Sequence, residues 1–393
     1  YSSRHVSPHY HHQFSKDETK LFWGIATHQE KTPEDTLLAR EKAGLDLWHW
    51  QDKRLQPHQL EELDKDQKKS FTAVYHLKQK RWKQLADSLH PDIRYNRKAN
   101  LNIGIAKNPK PYLKQISWNY PDFADYAVVD FITGEKTPIL EKTAYRVALS
   151  PGGRFVVWYN IQDSTWNARD IAAGKSRVLT RGLPVAFYDE LHDRPYSPAP
   201  YGIGGWIEND RAVLIYDRYD IWYCDLKGNI SPRNLTRGRE QKLRYRIRKL
   251  DPDKLAFQRH ETLWLRLFSE KTKQSGYGTL ALKQGAAPEK KLLKDARFSG
   301  LRKARQADQV IWRMGNYQHY PELWTSTLGI TESRRLSTTN PQQENYRWGT
   351  VEKVSWTSLD GELTEGLLYK PENYDPQRKY PMLVYFYERK AHG

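Results

Sequence analysis

Cysteine is almost absent from this chain of 393 residues, which contains a single one, Cys224. A lone cysteine excludes an intrachain disulfide and a cysteine metal cluster, and its apolar surroundings at residues 221–225 predict a buried strand residue rather than a reactive thiol. No stretch approaches the roughly 18 uninterrupted apolar residues of a membrane-spanning helix, so we expect no membrane span. The first residues also lack the layout of a signal peptide, which we interpret as a chain cut from a longer protein.

The composition that remains is aromatic and basic. Fourteen Trp and 25 Tyr favour strands, because aromatic rings pack well on a pleated, half-buried surface. The net charge of +17 is spread along the chain, and only residues 241–249 are densely basic. In that run Leu243, Tyr245 and Ile247 alternate with cations, which predicts a strand with a solvated charged face. We therefore expect no nucleic-acid partner, since net charge alone indicates nonspecific attraction and not specificity.

One phrase recurs at least six times along the chain. It consists of an apolar run, a turn, an aromatic-centred run and then Leu-Thr, and its clearest copies cover residues 154–180 and 211–236. The looser copies lie at residues 20–24 with 73–77, 101–105 with 126–134, 254–257 with 263–267, and 310–312 with 323–329. A repeat of roughly 40–50 residues made of short strands is typical of a β-propeller. We predict a mainly-β fold of four-stranded blades that must stack to bury their apolar faces.

Two stretches interrupt the repeat. Residues 57–67 favour a helix, with Leu60 and Leu63 three positions apart, so we predict a short helical insertion in the first visible blade. Residues 187–202 form a long, Pro-rich connection between two blades, and connections of this length are usually functional or mobile.

The pattern changes after about residue 345. Residues 348–361 predict a strand and a turn, and residues 363–371 predict a second strand. The nearly continuous apolar run at residues 380–387 predicts a strand buried on both faces, as in an α/β sheet. We therefore divide the chain into a propeller, residues 1–345, and the start of a second domain, residues 346–393.

This junction resembles the prolyl oligopeptidase family of serine peptidases, which includes dipeptidyl peptidase IV and the acylaminoacyl peptidases. The matching motifs are residues 354–361, ending in Asp-Gly, residues 366–371, ending in Lys-Pro, and residues 379–387, with Tyr-Pro ahead of the apolar run. The phrases at residues 150–154 and 219–222 also resemble the propellers of bacterial members. The resemblance implies seven or eight blades in the full protein, followed by an α/β-hydrolase domain of which this chain contains the opening strands.

The resemblance has two departures. Family members usually continue from the last motif into a Gly-rich turn, whereas residues 388–393 read Glu-Arg-Lys-Ala-His-Gly. Members also carry their nucleophile in a Gly-x-Ser-x-Gly elbow, followed by Asp and His, and no such elbow occurs here. We expect the triad to lie beyond residue 393 and the chain alone to be inactive.

The candidate site residues come from the same resemblance. Tyr387 matches the family position whose hydroxyl stabilises the oxyanion, and the alternative is one more aromatic residue of a strand. Acidic propeller residues bind the substrate amine in dipeptidyl-peptidase members, which makes Asp189 and Glu190 candidates. Ordinary surface acids on a solvated loop are the alternative.

The leading hypothesis is the substrate-gating propeller part of a serine peptidase that hydrolyses short peptides. We expect a peptide substrate, no cofactor and no metal, because the histidines at positions 5, 9, 11 and 12 have no acidic or cysteine ligand beside them. The alternatives are a protein-binding propeller without catalysis and a basic propeller that binds an acidic polymer. The resemblance favours a periplasmic or secreted location, and the sequence leaves a homo-oligomer open.

Overall fold

Four-stranded antiparallel sheets follow one another along the chain in the computed structural model of the protein. The structure describes residues 4–27, 36, 38–41, 44–96, 98 and 100–386. Within them six sheets are built from consecutive strands, which is the blade pattern of a β-propeller. The predicted mainly-β fold with four-stranded blades is therefore confirmed.

The first sheet contains one strand more than the others. It consists of β1 (Arg4–Val6), β2 (Gln13–Phe14), β3 (Lys20–Thr27), β4 (Phe71–His76) and β5 (Arg81–Gln84). Both β1 and β2 pair with β3 on the same side, so the sheet keeps the order of a four-stranded blade. The helix α1 (Gln56–Gln67) lies in the connection between β3 and β4, which confirms the predicted helical insertion.

The next three sheets each use four strands in sequence order. The second contains β6 (Asp92–Arg94), β7 (Ile103–Asn108), β8 (Phe123–Asp130) and β9 (Lys136–Ala144). The third contains β10 (Ala148–Leu149), β11 (Phe155–Asn160), β12 (Thr165–Asp170) and β13 (Lys175–Val178). The fourth contains β14 (Ile203–Trp206), β15 (Ala212–Tyr216), β16 (Ile221–Asp225) and β17 (Arg233–Asn234).

Two further sheets and a hairpin complete the strands. The fifth sheet contains β18 (Leu243–Arg248), β19 (Thr262–Ser269), β20 (Ser275–Ala281) and β21 (Glu289–Lys294). The sixth contains β22 (Arg297–Lys303), β23 (Val310–Gly315), β24 (Glu322–Ser326) and β25 (Arg334–Arg335). The hairpin pairs β26 (Thr350–Thr357) with β27 (Leu363–Lys370) across the Asp360-Gly361 turn, as the sequence predicts for these two segments.

The apolar core lies between neighbouring sheets. Phe22 and Val74 of the first sheet pack in one cluster with Val129 of the second, and Ile105 of the second packs with Val156 of the third. A larger cluster joins the third sheet to the fourth. The first four blades thus bury their faces against one another, which is the physical reason for the repeat.

Cys224 belongs to that larger cluster and is completely buried. Burial raises the pKa of its thiol to about 12, because the surroundings disfavour the charged thiolate. The prediction of a buried strand cysteine is confirmed.

The chain separates into two compact units. The first comprises residues 1–273 and 277–290, and the second comprises residues 274–276 and 291–393. The first unit holds the first four sheets and most of the fifth, and the second holds the sixth sheet and the β26–β27 hairpin. The division into domains at residue 345 remains a prediction.

Two strand predictions are wrong. Residues 254–257 belong to a loop, because the middle strands of the fifth sheet are β19 and β20 and the repeat is displaced there. Residues 381–386 have no regular secondary structure, and Leu383 is 95% exposed. An apolar strand becomes buried only between sheet neighbours, and no described strand pairs with this run.

Among the described residues, no helix has both the length and the apolar character needed to cross a membrane.

Candidate functional site

The connection that carries Asp189 and Glu190 is folded back on itself. Its two arms meet at a bridge between Tyr188 and Pro200, and the Asp189 amide donates to the Ala199 carbonyl over 2.9 Å. The Tyr201 hydroxyl then accepts the Glu190 amide at 3.0 Å. The long Pro-rich segment is therefore held by backbone bonds, which fix the direction of the Glu190 side chain.

The carboxylates of Asp189 and Glu190 make different contacts. Asp189 Oδ1 accepts the Leu191 amide at 3.1 Å and closes a local turn. Glu190 faces Arg239, whose Nη1 and Nη2 donate to its two oxygens over 2.9 and 3.3 Å. Glu190 is thus the member of the predicted pair that belongs to a charged site, and it already has a cation beside it.

A buried carboxylate also contacts Arg239. Its Nη2 lies 3.5 Å from Oδ2 of Asp217, which is fully buried, and its guanidinium lies 5.2 Å from the Tyr219 ring centroid. Asp217 in turn accepts the Tyr219 amide at 2.7 Å and the Trp222 indole N–H at 3.0 Å. The β15–β16 turn therefore supports the Glu190–Arg239 pair with buried, hydrogen-bonded side chains.

A second ion pair also contacts Tyr219. Arg218 Nη2 donates to Glu270 Oε2 over 2.7 Å, and the Tyr219 hydroxyl donates to the same oxygen over 2.7 Å. Burial works to raise the pKa of Glu270, but these two donors outweigh it and hold that pKa below its ordinary value. Burial together with the Glu270 hydrogen bond raises the pKa of Tyr219, so its hydroxyl remains a donor at neutral pH.

Arg246 completes the site from strand β18. Its guanidinium lies 4.5 Å from the Tyr216 ring centroid and donates to the carbonyls of Asp217 and Arg218, each over 2.9 Å. Burial lowers the pKa of Arg246 to about 10. The predicted solvated face of residues 242–248 is therefore wrong at this position, because the connection before β14 and the turn after β15 cover Arg246.

These residues form what we call the arginine cluster, which comprises Arg218, Arg239 and Arg246 with the carboxylates of Glu190, Asp217 and Glu270. Its parts meet because strands alternate in direction. The connections before β14 and after β17 and the turns after β15 and β19 all lie at the same end of their sheets. Glu190 and Arg239 are its most exposed ion pair, with 24% and 35% of their side chains accessible.

The exposed pair has a defined chemical capacity. A ligand ammonium can bind Glu190, and a ligand carbonyl or carboxylate can bind the accessible part of the Arg239 guanidinium. Sequence reasoning missed Arg218, Arg239 and Glu270, because single charged residues in turns carry no periodic signal. Only the proximity of the four connecting segments in the folded blades could identify them.

Tyr387 lies outside the described residues. Across the part of the chain that the structure describes, no group of three or more His, Cys, Asp or Glu side chains is arranged to hold a metal ion.

Comparison with known proteins returns structural neighbours only. No family model matches the chain, and no curated protein matches it in sequence. A solved structure from a study of two prolyl endopeptidases matches with a TM-score of 0.46 and 10% identity, covering 95% of this chain and 47% of that one. A post-proline cleaving enzyme from Rickettsia typhi matches with a TM-score of 0.45 and 9% identity, covering 93% and 50%.

An acylaminoacyl peptidase from Pyrococcus horikoshii also matches, with a TM-score of 0.40, 11% identity and coverage of 92% and 50%. The structural neighbours are peptidases. They are of the kinds that the prolyl oligopeptidase family contains, which is the family that the terminal motifs resemble. The chain spans about half the length of each, and at these identities and TM-scores the likeness does not by itself assign an activity.

Proposed function

We propose that this chain is the substrate-gating propeller part of a serine peptidase that hydrolyses short peptides by Ser-His-Asp acyl transfer. One observation carries the proposal. A succession of four-stranded blades runs into the β26–β27 hairpin, whose Asp360-Gly361 turn precedes the Tyr380-Pro381 motif. In this proposal the propeller admits small peptides and excludes folded proteins, and the triad lies outside this chain.

The β26–β27 hairpin supports the assignment of residues 346–393 to a catalytic domain. Its apolar side chains Trp356, Leu363 and Leu367 are 49%, 72% and 58% exposed. Exposed apolar residues on a paired strand favour a further layer of structure that packs on them, as the helices of an α/β-hydrolase would.

The Glu190–Arg239 pair is the proposed anchor for the peptide. Glu190 binds the free N-terminal ammonium of the substrate, and Arg239 binds a backbone carbonyl near it. The buried side chains of Asp217 and Tyr219 hold Arg239 in place beside Glu190. Substrate binding therefore costs less free energy, because the site is already ordered.

The test compares Glu190→Gln with the parent in the full-length protein. The neutral side chain keeps its size but loses the charge that attracts the ammonium. We expect KM for peptide arylamides with a free N-terminus to rise about tenfold or more with kcat little changed, as expected for a charged hydrogen bond. KM for N-acetylated substrates should not change in Glu190→Gln. As a second control, Asp193→Asn changes an exposed residue of the same connection and should have the same KM as the parent.

An equal effect of Glu190→Gln on free and acetylated substrates would exclude the ammonium role. A full-length protein with no peptidase activity would favour a protein-binding propeller instead.

The proposed oxyanion role of Tyr387 has its own test. Tyr387→Phe keeps the ring and removes only the hydroxyl donor, so kcat should fall on the order of a hundredfold with KM little altered. A change of kcat within a few-fold would indicate that Tyr387 only packs in a strand.

A further inference from the structure

Two insertions of the first unit enclose a cleft at the same end of the sheets as the arginine cluster. One is the segment that precedes α1 in the β3–β4 connection, and the other is the β7–β8 connection. The cleft has a volume of about 290 Å³ and is lined by Trp48, Trp50 and Trp118, whose side chains are 59%, 80% and 73% exposed. Three exposed indoles around one cavity indicate a binding surface, because monomeric proteins rarely leave such apolar area uncovered.

The cleft carries an excess of positive charge. Lys53 and Lys114 line it, and neither has a carboxylate within ion-pairing distance among the described residues. Lys114 Nζ lies 6.0 Å from the Trp50 ring centroid, which places the cation beside an indole face.

The acidic residues nearby are already engaged by donors of helix α1 or its approach. Gln56 donates to Asp46 over 2.9 Å, and Gln59 donates to Asp52 over 3.2 Å. Arg54 forms an ion pair with Asp66. These bonds fasten the tryptophan segment to the helix. Asp52 also lines the cleft and keeps its negative charge, because its glutamine donor is neutral, but Lys53 and Lys114 outnumber it.

A line of aromatic contacts joins the cleft to the connection that carries Glu190. Trp118 is followed by Tyr120, whose ring centroid lies 4.6 Å from that of Tyr196. Tyr196 contacts His192, with centroids 4.5 Å apart, two residues after Glu190. The connection that lines the cleft and the connection that carries the proposed substrate anchor are therefore in contact within the first unit.

We propose that this cleft, the tryptophan cleft of Trp48, Trp50, Trp118, Lys53 and Lys114, binds an acidic, aromatic segment of the peptide substrate. Aromatic side chains of the peptide stack on the indoles, and its carboxylates pair with Lys53 and Lys114. The inference rests on the proposed function, because the contact between the β7–β8 connection and the connection of Glu190 is what identifies the occupant as a peptide substrate. It adds a specificity site beyond the proposed Glu190 anchor.

The test measures binding of two fluorescein-labelled peptides to the full-length protein by anisotropy. One is Gly-Glu-Phe-Glu-Tyr-Glu-Gly-amide, and the other has Gln in place of each Glu. We expect the acidic peptide to bind at least tenfold more tightly. Lys53→Gln with Lys114→Gln should remove most of that preference, and Trp50→Ala with Trp118→Ala should weaken both peptides by roughly fivefold or more.

Matched controls keep these outcomes interpretable. Lys227→Gln changes an exposed lysine outside the cleft, and Trp82→Ala removes a half-exposed indole of β5, so neither should alter peptide binding. All four substituted cleft positions are accessible, so melting temperatures should stay near that of the parent.

Failure of this inference differs from failure of the proposed function. If the protein binds the two peptides equally, the cleft site is overturned, even if the protein hydrolyses neutral peptides. The same holds if the cleft variants keep the parent's preference for the acidic peptide. A third outcome is that the parent binds polygalacturonate but neither peptide, and that the tryptophan variants lose polygalacturonate binding. This result rejects a peptide as the occupant and assigns the cleft to an acidic polysaccharide. Acidic-peptide binding in a protein without peptidase activity supports the site and rejects only the catalytic proposal.

Discussion

At the scale of single residues, buried carboxylates organise the turns of the first unit. Asp210 Oδ2 accepts the Ser150 hydroxyl at 2.6 Å and the Arg154 amide at 3.1 Å, while Oδ1 accepts the Gly152 amide at 2.8 Å. The carboxylate therefore ties the turn of the third sheet to the fourth. Because Asp210 is 4% and Ser150 2% exposed, loss of the carboxylate would leave the Ser150 hydroxyl buried without this acceptor.

Asp210→Ala should accordingly lower the free energy of unfolding by about 3 kcal/mol or more. Equilibrium denaturation in urea measures the change. Asp193→Ala, at an exposed residue, is the control and should stay within about 0.5 kcal/mol of the parent. Equal losses for the two variants would show that the Asp210 contacts do not stabilise the fold.

Glu270 predicts a pH dependence of stability. Its pKa is held below the ordinary value of 4.5 in the folded protein, so its ionised form stabilises the fold above that pH. The contribution is lost as the pH falls from about 4.5 through the lower folded pKa. Glu270→Gln should therefore be less stable than the parent at pH 7, and the difference should shrink below pH 4.5. Melting temperatures of both proteins across this range check it, and a constant difference would refute the linkage.

At the scale of elements, strands and helix differ in what holds them in place. Every residue of β15 and β16 is buried, whereas α1 has no buried residue and its Leu60 is 59% exposed. The strands owe their stability to neighbouring blades. The helix depends on its own backbone bonds and on contacts such as the Arg54–Asp66 ion pair.

Leu214→Ala and Leu60→Ala should therefore differ sharply. Removing the completely buried Leu214 side chain leaves a cavity and should cost about 2–5 kcal/mol, whereas the change in α1 should stay below about 0.5 kcal/mol. Urea titrations of both variants measure the difference. Similar costs at the two positions would mean that α1 is buried in solution.

At the scale of the whole molecule, the proposal assigns substrate selection to the propeller and places the nucleophile in another domain. The chain has successive four-stranded blades and the proposed anchor for a peptide terminus, but it contains no serine in a Gly-x-Ser-x-Gly elbow. Nucleophilic serines need an adjacent base and a defined turn. The propeller is thus proposed to select substrates for a catalytic domain that supplies the chemistry.

The isolated 393-residue chain should accordingly not react with a fluorophosphonate probe, whereas the full-length protein should be labelled on one serine. Gel fluorescence and mass spectrometry of both proteins measure the labelling. Stoichiometric labelling of any serine within residues 1–393 would contradict the proposal.

Local patterns of the sequence alone predicted most of the architecture. The apolar–turn–aromatic repeat located the middle strands of five sheets, Leu60 and Leu63 indicated α1, and Asp360-Gly361 marked the hairpin turn. These features depend on neighbours within a few residues, so periodicity and turn chemistry suffice. The displaced fifth repeat was missed because its first strand is the basic segment β18.

Only the tertiary structure decided the site. Glu190 and Arg239 are 49 residues apart in sequence, and Arg218 and Glu270 are 52 apart, so no local pattern could pair them. The alternation around Arg246 predicted a solvated cation, but packing of two connecting segments covered it and lowered its pKa. Local periodicity specifies which strands form, because that choice depends on adjacent residues. Which charges meet depends on how the blades stack, and that is a property of the folded chain.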